Sequence, residues 1–249
     1  RKLLVAVIAA VLVGLLALGG EARAQPPTLE VREVRGEPVV VNGQELRLWV
    51  FVHPAPKATS PAYCTDGDQD TPVPNFAWAN SGGLTFNINP SSIPSYLNAS
   101  QVIDAIKASF AAWDNAGGPS PYFTVNDTGG AAGPASDRNN TVGWAYIVPT
   151  TVLAATWVWT NNEGVVQEAD VFFNAFQTWG ILSACNSPTN KAYDVQDVGT
   201  HEAGHTVGLD HLRDPNGYAT MYPTASKGEV RKRTPTTGDI KGYKAAGGY

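Results

Sequence analysis

The sequence predicts an α+β domain with a small β element in front of it, and three features of the chain carry that prediction. Alternating apolar and polar residues recur in short runs between residues 84 and 173, as strands with one face on a core require. Two longer segments instead space their key residues at the helical period. A length of 249 residues with 43% hydrophobic content suffices for one domain with its own core plus accessory segments.

Arg1 and Lys2 precede an uncharged apolar run from Leu3 to Leu18, and Ala22-Arg23-Ala24 has the A-x-A form of a cleavage site. Residues 1–24 therefore read as a signal peptide cut before Gln25, and the protein as secreted, with no stable membrane association after the cut. The acidic balance, 22 Asp and Glu against 17 Lys and Arg, argues against a nucleic-acid partner.

Residues 25–72 read as a β-rich segment and linker, a candidate prosegment. Asn42-Gly43 between two β-favouring runs, the second being Leu46 to Val52, is a strong hairpin signal. Pro54 to Pro61, Asp66 to Asp70 and Pro72-Val-Pro74 have linker composition. Asp66, Asp68 and Asp70 open like a calcium-binding EF-hand loop, but Thr71 stands where glycine is needed and Ala77 where the bidentate glutamate belongs. A solvated acidic loop is the better reading.

Residues 73–249 form the second unit. Leu84, Phe86 and Ile88 alternate with polar neighbours as a strand, and Ser100 is placed to cap a helix whose buried face is Val102, Ile106, Phe110 and Trp113. Gly117-Gly118-Pro119 ends that helix. Further strands are expected at 122–125, 142–148, 154–160 and 165–173, the last two joined by the turn Asn161 to Gly164. A second helix runs from Val195 to Val207, capped by Asp194 and ended by Gly208. The basic cluster Lys227 and Arg231-Lys232-Arg233 reads as solvated surface, followed by a short helix near Asp239 to Lys244.

Three of the four histidines fall within residues 201–211. His201 and His205, four apart, share a helix face and can meet one ion. Glu202 sits one position on, where it reaches a water beside the metal rather than the metal itself, the placement of a general base. Gly208 accepts positive φ, so the chain can leave the helix and return His211 as a third ligand. Three protein ligands leave a tetrahedral zinc one open position, the mark of a catalytic site.

Met221, the only methionine, follows His211 by ten residues in Ala219-Thr-Met-Tyr-Pro223. His201, Glu202, His205, Gly208, His211 and Met221 together resemble the pattern of the metzincin zinc endopeptidases, and Met221-Tyr-Pro223 resembles the matrixin form of the methionine turn. The resemblance extends more weakly over about residues 75–245. It implies a twisted, mostly parallel five-stranded sheet with two long helices, a smaller lower lobe after Gly208, one catalytic zinc, and Met221 as a hydrophobic floor. It also implies a protein or peptide substrate laid along an edge strand between Thr141 and Thr160. Calcium on loop carboxylates, with Asp127, Asp137 and Asp170 as candidates, is a secondary expectation, and the protein is expected to be a monomer.

The chain departs from matrixins at Leu212, where serine is usual. His53 alone remains outside the motif, so a second, histidine-held structural zinc cannot be assembled, and His53 reads as a strand-end residue. Cys64 and Cys185 are expected to form a disulfide, in keeping with secretion. Cys64 as a cap on the metal is the alternative, weakened by its context Pro61-Ala-Tyr-Cys-Thr-Asp-Gly67. The functional expectation is a secreted zinc endopeptidase; the alternative is a secreted zinc-containing binding or adhesion module without turnover, against which the retained Glu202 speaks.

Overall fold

The computed structural model describes residues 25–56, 64–65, 67, 70–73, 76–78, 83–117, 122–185, 191–213 and 218–247. The expected signal peptide, most of the Pro54–Pro61 linker, Asp66 and Asp68 lie outside the described residues. The N-terminal strands are β1 (Thr28–Glu30), β2 (Val34–Val41) and β3 (Gln44–Pro54). After β4 (Ala77–Trp78) and β5 (Leu84–Ile88) comes helix α1 (Ala99–Asp114), then β6 (Phe123–Asn126), β7 (Thr141–Val148), β8 (Val152–Thr160) and β9 (Val165–Asn174). Two short strands, β10 (Trp179–Gly180) and β11 (Tyr193–Asp194), lead into α2 (Val195–Thr206), and α3 (Thr237–Ala245) closes the chain. Among the described residues no helix is long and apolar enough to cross a membrane.

The fold is α+β, and its main sheet is mixed. Its order is β2-β3-β8-β9-β7-β5-β6, with β1 beside β7 and β4 beside β9. Strands β6, β5, β7 and β9 run parallel, and β8 returns antiparallel to β9 through the Asn161–Gly164 turn. These five are the strands expected between residues 84 and 173. Beyond β8 the sheet continues: β3 pairs with it antiparallel from Arg47↔Thr160 to Pro54↔Val152, and β2 pairs with β3. The expectation of an edge strand between Thr141 and Thr160 is therefore corrected, because β7 and β8 each have a neighbour on both sides.

Local chemistry explains the elements. Asn42 and Gly43 both have positive φ, 50° and 81°, which a tight turn with the twist of a hairpin requires. Helix α1 starts one residue before the expected cap: Asn98, not Ser100, accepts the Gln101 N–H at 3.2 Å. Its buried face, including Ile106, Phe110 and Trp113, packs on the sheet and on α2. The Trp113 indole donates to Thr200 O at 2.8 Å, and Ser109 Oγ to Gln196 O at 3.2 Å, which fixes α2 against α1. On the opposite face of the sheet Val34, Leu46, Val50, Ile147, Trp157 and Phe172 form a second cluster. Cys64 and Cys185 are joined in a disulfide with a Cα–Cα distance of 5.7 Å.

Of the basic cluster, Lys227 is exposed as expected, but Arg231 and Lys232 are not solvated surface. Both are buried, because the nearby Glu229 and the distant start of α2 supply carboxylates around them. Arg231 Nε lies 2.8 Å from Glu229 Oε1, Lys232 N–H donates to Asp197 Oδ1 at 2.7 Å, and Arg233 forks onto Asp194 with two contacts of 2.7 Å. Asp194 meanwhile caps α2 through the Asp197 N–H at 2.9 Å. The segment after the methionine thus holds the N-terminal end of α2 in place.

Candidate active site

Helix α2 carries His201, Glu202 and His205, all fully buried. The helix ends as the sequence indicates: Gly208 has φ +90°, and its N–H donates to His205 O at 3.1 Å. A side chain at Gly208 would approach Phe76 O to 3.0 Å besides adopting a disfavoured φ. The chain then doubles back and stacks the His211 ring on His201, with ring centroids 5.2 Å apart. Leu212 N–H donates to Met221 O at 2.8 Å, which joins this return to the methionine turn. Met221 lies under the helix at Gly204, where even a Cβ would collide with its sulfur.

The histidine nitrogens converge. His205 Nε2 lies 3.1 Å from His201 Nε2 and 3.1 Å from His211 Nε2. A carbonyl only accepts, so the contacts of His201 Nδ1 with Thr220 O at 2.7 Å and of His205 Nδ1 with Leu209 O at 2.8 Å place the proton on Nδ1 in both rings. Their Nε2 atoms then face each other with lone pairs and no proton between. Burial holds all three imidazoles neutral, pushing His205 down to about 3 and the other two well below the usual range. Neutral lone pairs at this separation repel unless a cation sits among them. Tetrahedral zinc with Zn–N bonds of about 2.0–2.1 Å needs nitrogens about 3.3–3.4 Å apart, close to what is found. The all-imidazole donor set suits zinc and excludes calcium, which takes oxygen.

Glu202 faces the strands. Its Oε2 accepts from Thr156 Oγ1 of β8 at 2.6 Å, and its Oε1 lies 3.1 Å from His53 Nδ1 of β3. Burial pushes the carboxyl up to about 8, with the Thr156 hydrogen bond pulling the other way. His53, Glu202 and His201 each place a donor atom within 4.8 Å of the others. His53 is therefore no ordinary strand-end residue: it is fully buried, packs against His201 with centroids 4.0 Å apart and the rings tilted by 35°, and receives Lys232 Nζ at 3.3 Å on Nε2. Burial and the neighbouring Lys232 hold it neutral, so its contact with Glu202 is a hydrogen bond rather than an ion pair.

The sequence brought out His201, Glu202, His205, Gly208, His211 and Met221, and these do come together. It missed His53, Thr156 and Lys232, which reach the site from remote segments. Phe51, two residues before His53 and so on the same strand face, stacks on His205 at 4.3 Å with the rings 12° from parallel. Asp170 is not arranged as a calcium ligand: its two oxygens accept from Ala135 N–H at 3.0 Å and Thr141 N–H at 2.7 Å. Among the described residues, the side-chain clusters suited to a metal are the histidine triad and the overlapping group of His53, His201 and Glu202.

A helix-borne histidine pair, a third histidine beyond a left-handed glycine, and a carboxylate beside the first define the site of a metal-dependent hydrolase. Comparison with known proteins narrows the class. The matrixin family profile matches residues 77–246, and the chain belongs to that family of metalloendopeptidases. It is 30% identical over 160 residues to matrix metalloproteinase-C of Caenorhabditis elegans, covering 61% of this chain and 24% of that protein. It is 44% identical over 45 residues to human matrilysin, covering 18% of this chain and 16% of that one. The matched regions thus span a quarter or less of these relatives' own length.

Proposed function

We propose that the chain is a secreted zinc-dependent endopeptidase in which His201, His205 and His211 hold the metal and Glu202 is the general base. The observation that supports this most is that His205 Nε2 lies 3.1 Å from both His201 Nε2 and His211 Nε2, with a carboxylate on the adjoining helix position. When bound, zinc supplies a Lewis acid that polarises the scissile carbonyl and brings the pKa of a water to about 7. Glu202 takes the proton of the attacking water and passes it to the leaving amine. The water oxygen joins the carbonyl carbon, the C–N bond breaks, and two shorter peptides leave. Thr156 orients the carboxylate, and Met221 packs below the histidines.

In this reading residues 1–24 are the signal peptide, 25–72 an N-terminal segment and 73–249 the catalytic domain. The substrate is an extended polypeptide, with side-chain pockets supplying selectivity. The test is cleavage of a quenched-fluorescent peptide library by the chain from Gln25 onward, intact and after a cut between Pro54 and Cys64. Chelator-sensitive cleavage is expected. Glu202→Gln should keep one zinc per chain while activity falls at least about a hundredfold, and His205→Ala should lose zinc as well. A cut, zinc-loaded chain without peptidase activity would refute the proposal.

A further inference from the structure

The site just described is shut. His201, Glu202 and His205 are fully buried, although a hydrolase of polypeptides has to admit a backbone to these groups. Strand β3 is what shuts it. It lies along β8 in antiparallel register from Arg47 to Pro54, lays Phe51 on His205, and lays His53 on His201 with its Nδ1 on Glu202 Oε1. The groups set against the histidines are side-chain rings. Further contacts hold the strand there: Arg35 of β2 bonds Asp210 at 2.7 Å, next to His211, and stands over the Phe51 ring at 5.2 Å. Lys232 reaches His53 from the other side.

The hairpin β2–β3 precedes residues 77–246, the part of the chain that matches the family. Removing it would leave β8 with unpaired N–H and C=O groups from Val152 to Thr160, a rail for another extended strand beside Glu202. One strand at a time can use that rail.

We infer that β3 is an intramolecular inhibitor that occupies the substrate rail of β8 and blocks Glu202 with His53, so that the chain is inactive until the hairpin is displaced. This rests on the endopeptidase reading above. The inhibition needs no cysteine on the metal, because Cys64 is bonded to Cys185. Activity follows the fraction of molecules in which β3 has left, so strengthening or weakening its seat shifts that fraction directly.

The experiment uses the full chain from Gln25 with a recognition sequence for a site-specific protease inserted between Pro56 and Cys64, upstream of the disulfide. Peptide cleavage and hydrogen exchange of the β8 amides are followed before and after the cut, and a synthetic peptide of residues 44–54 is then added back. The inference expects activity to rise at least about tenfold on cutting, β8 protection to fall, and the peptide to reverse both. In the uncut chain, Phe51→Ala with His53→Ala should raise activity in the same direction while zinc content stays at one per chain. This second arm stands even if the cut chain does not remain folded. An uncut chain as active as the cut one, with the double variant no faster, overturns the inhibitor role and leaves the peptidase reading intact. A cut chain that has lost β8 protection, holds zinc and cleaves nothing overturns the peptidase reading and the inhibitor role with it.

Discussion

Asn174→Ala is expected to cost a large part of the stability, because one buried side chain closes four backbone bonds. Asn174 ends β9 fully buried. Its Oδ1 accepts from Ile147 N–H and Phe176 N–H, both at 3.0 Å, and its Nδ2 donates to Ile147 O at 3.0 Å and Val152 O at 2.7 Å. It thus ties the end of β7 to the start of β8, the strand that orients Glu202 through Thr156. An orphaned buried polar group costs about 1–3 kcal/mol. Water entering the vacated space satisfies some of the four, so about 3–5 kcal/mol is expected, a large share of the roughly 5–15 kcal/mol of a typical domain. Urea denaturation of wild type and variant at equal zinc loading measures it. Asn174→Asp should be comparably damaging, since its second oxygen would face two carbonyl oxygens. A loss under about 1 kcal/mol for Asn174→Ala, with an unchanged dependence on urea, would refute the argument that this side chain holds the β7–β8 connection.

Other expectations follow from the same contacts. Arg231→Met leaves Glu229 buried without its ion-pair partner and should destabilise by about 3–5 kcal/mol in the same denaturation assay. Because the disulfide links Cys64 to Cys185, a cut placed between Cys64 and Phe76 should leave the hairpin attached until a reductant is added, whereas a cut before Cys64 should free it at once; mass spectrometry distinguishes the two. Reducing that bond, which spans 121 residues, should lower stability by about 2–5 kcal/mol, read as a shift in the urea midpoint.

Features written in neighbouring residues were legible before the structure. Asn42-Gly43, the Asn161–Gly164 turn, the Asp194 cap and Gly208 each act within a few positions of themselves, and the turns and helix ends fall where they indicate. The spacing of the histidine motif is likewise local, so its meeting point could be read from helix geometry alone. What joins distant segments was not legible. Whether β3 would find β8 depends on a pairing between residues about a hundred apart, and nothing in either strand names its partner. His53 reads as a strand residue because alternation says only that its side is buried, not that Glu202 waits there. Arg231-Lys-Arg233 looks solvated until Asp194 and Asp197, at the start of α2 more than thirty residues earlier, are folded against it beside the local Glu229.

One clue to the pairing was present in β8 itself. Val152-Leu-Ala-Ala-Thr-Trp-Val-Trp-Thr160 does not alternate as an edge strand with a wet face would; it is nearly continuous in apolar residues, and every residue of it is buried. Such a run belongs to the interior of a sheet, and left at an edge it offers its backbone to any passing strand. The hairpin therefore protects the rail as well as blocking it, and the two roles make a joint prediction. Once β3 is cut away, the exposed β8 should drive self-association, seen as a rise in light scattering with protein concentration. The peptide of residues 44–54 should suppress it at the concentrations that suppress activity, since both effects come from filling the same edge. Scattering that rises while the peptide still inhibits, or a cut chain that stays monodisperse without it, would separate the two roles and place the inhibitory contact elsewhere than on β8.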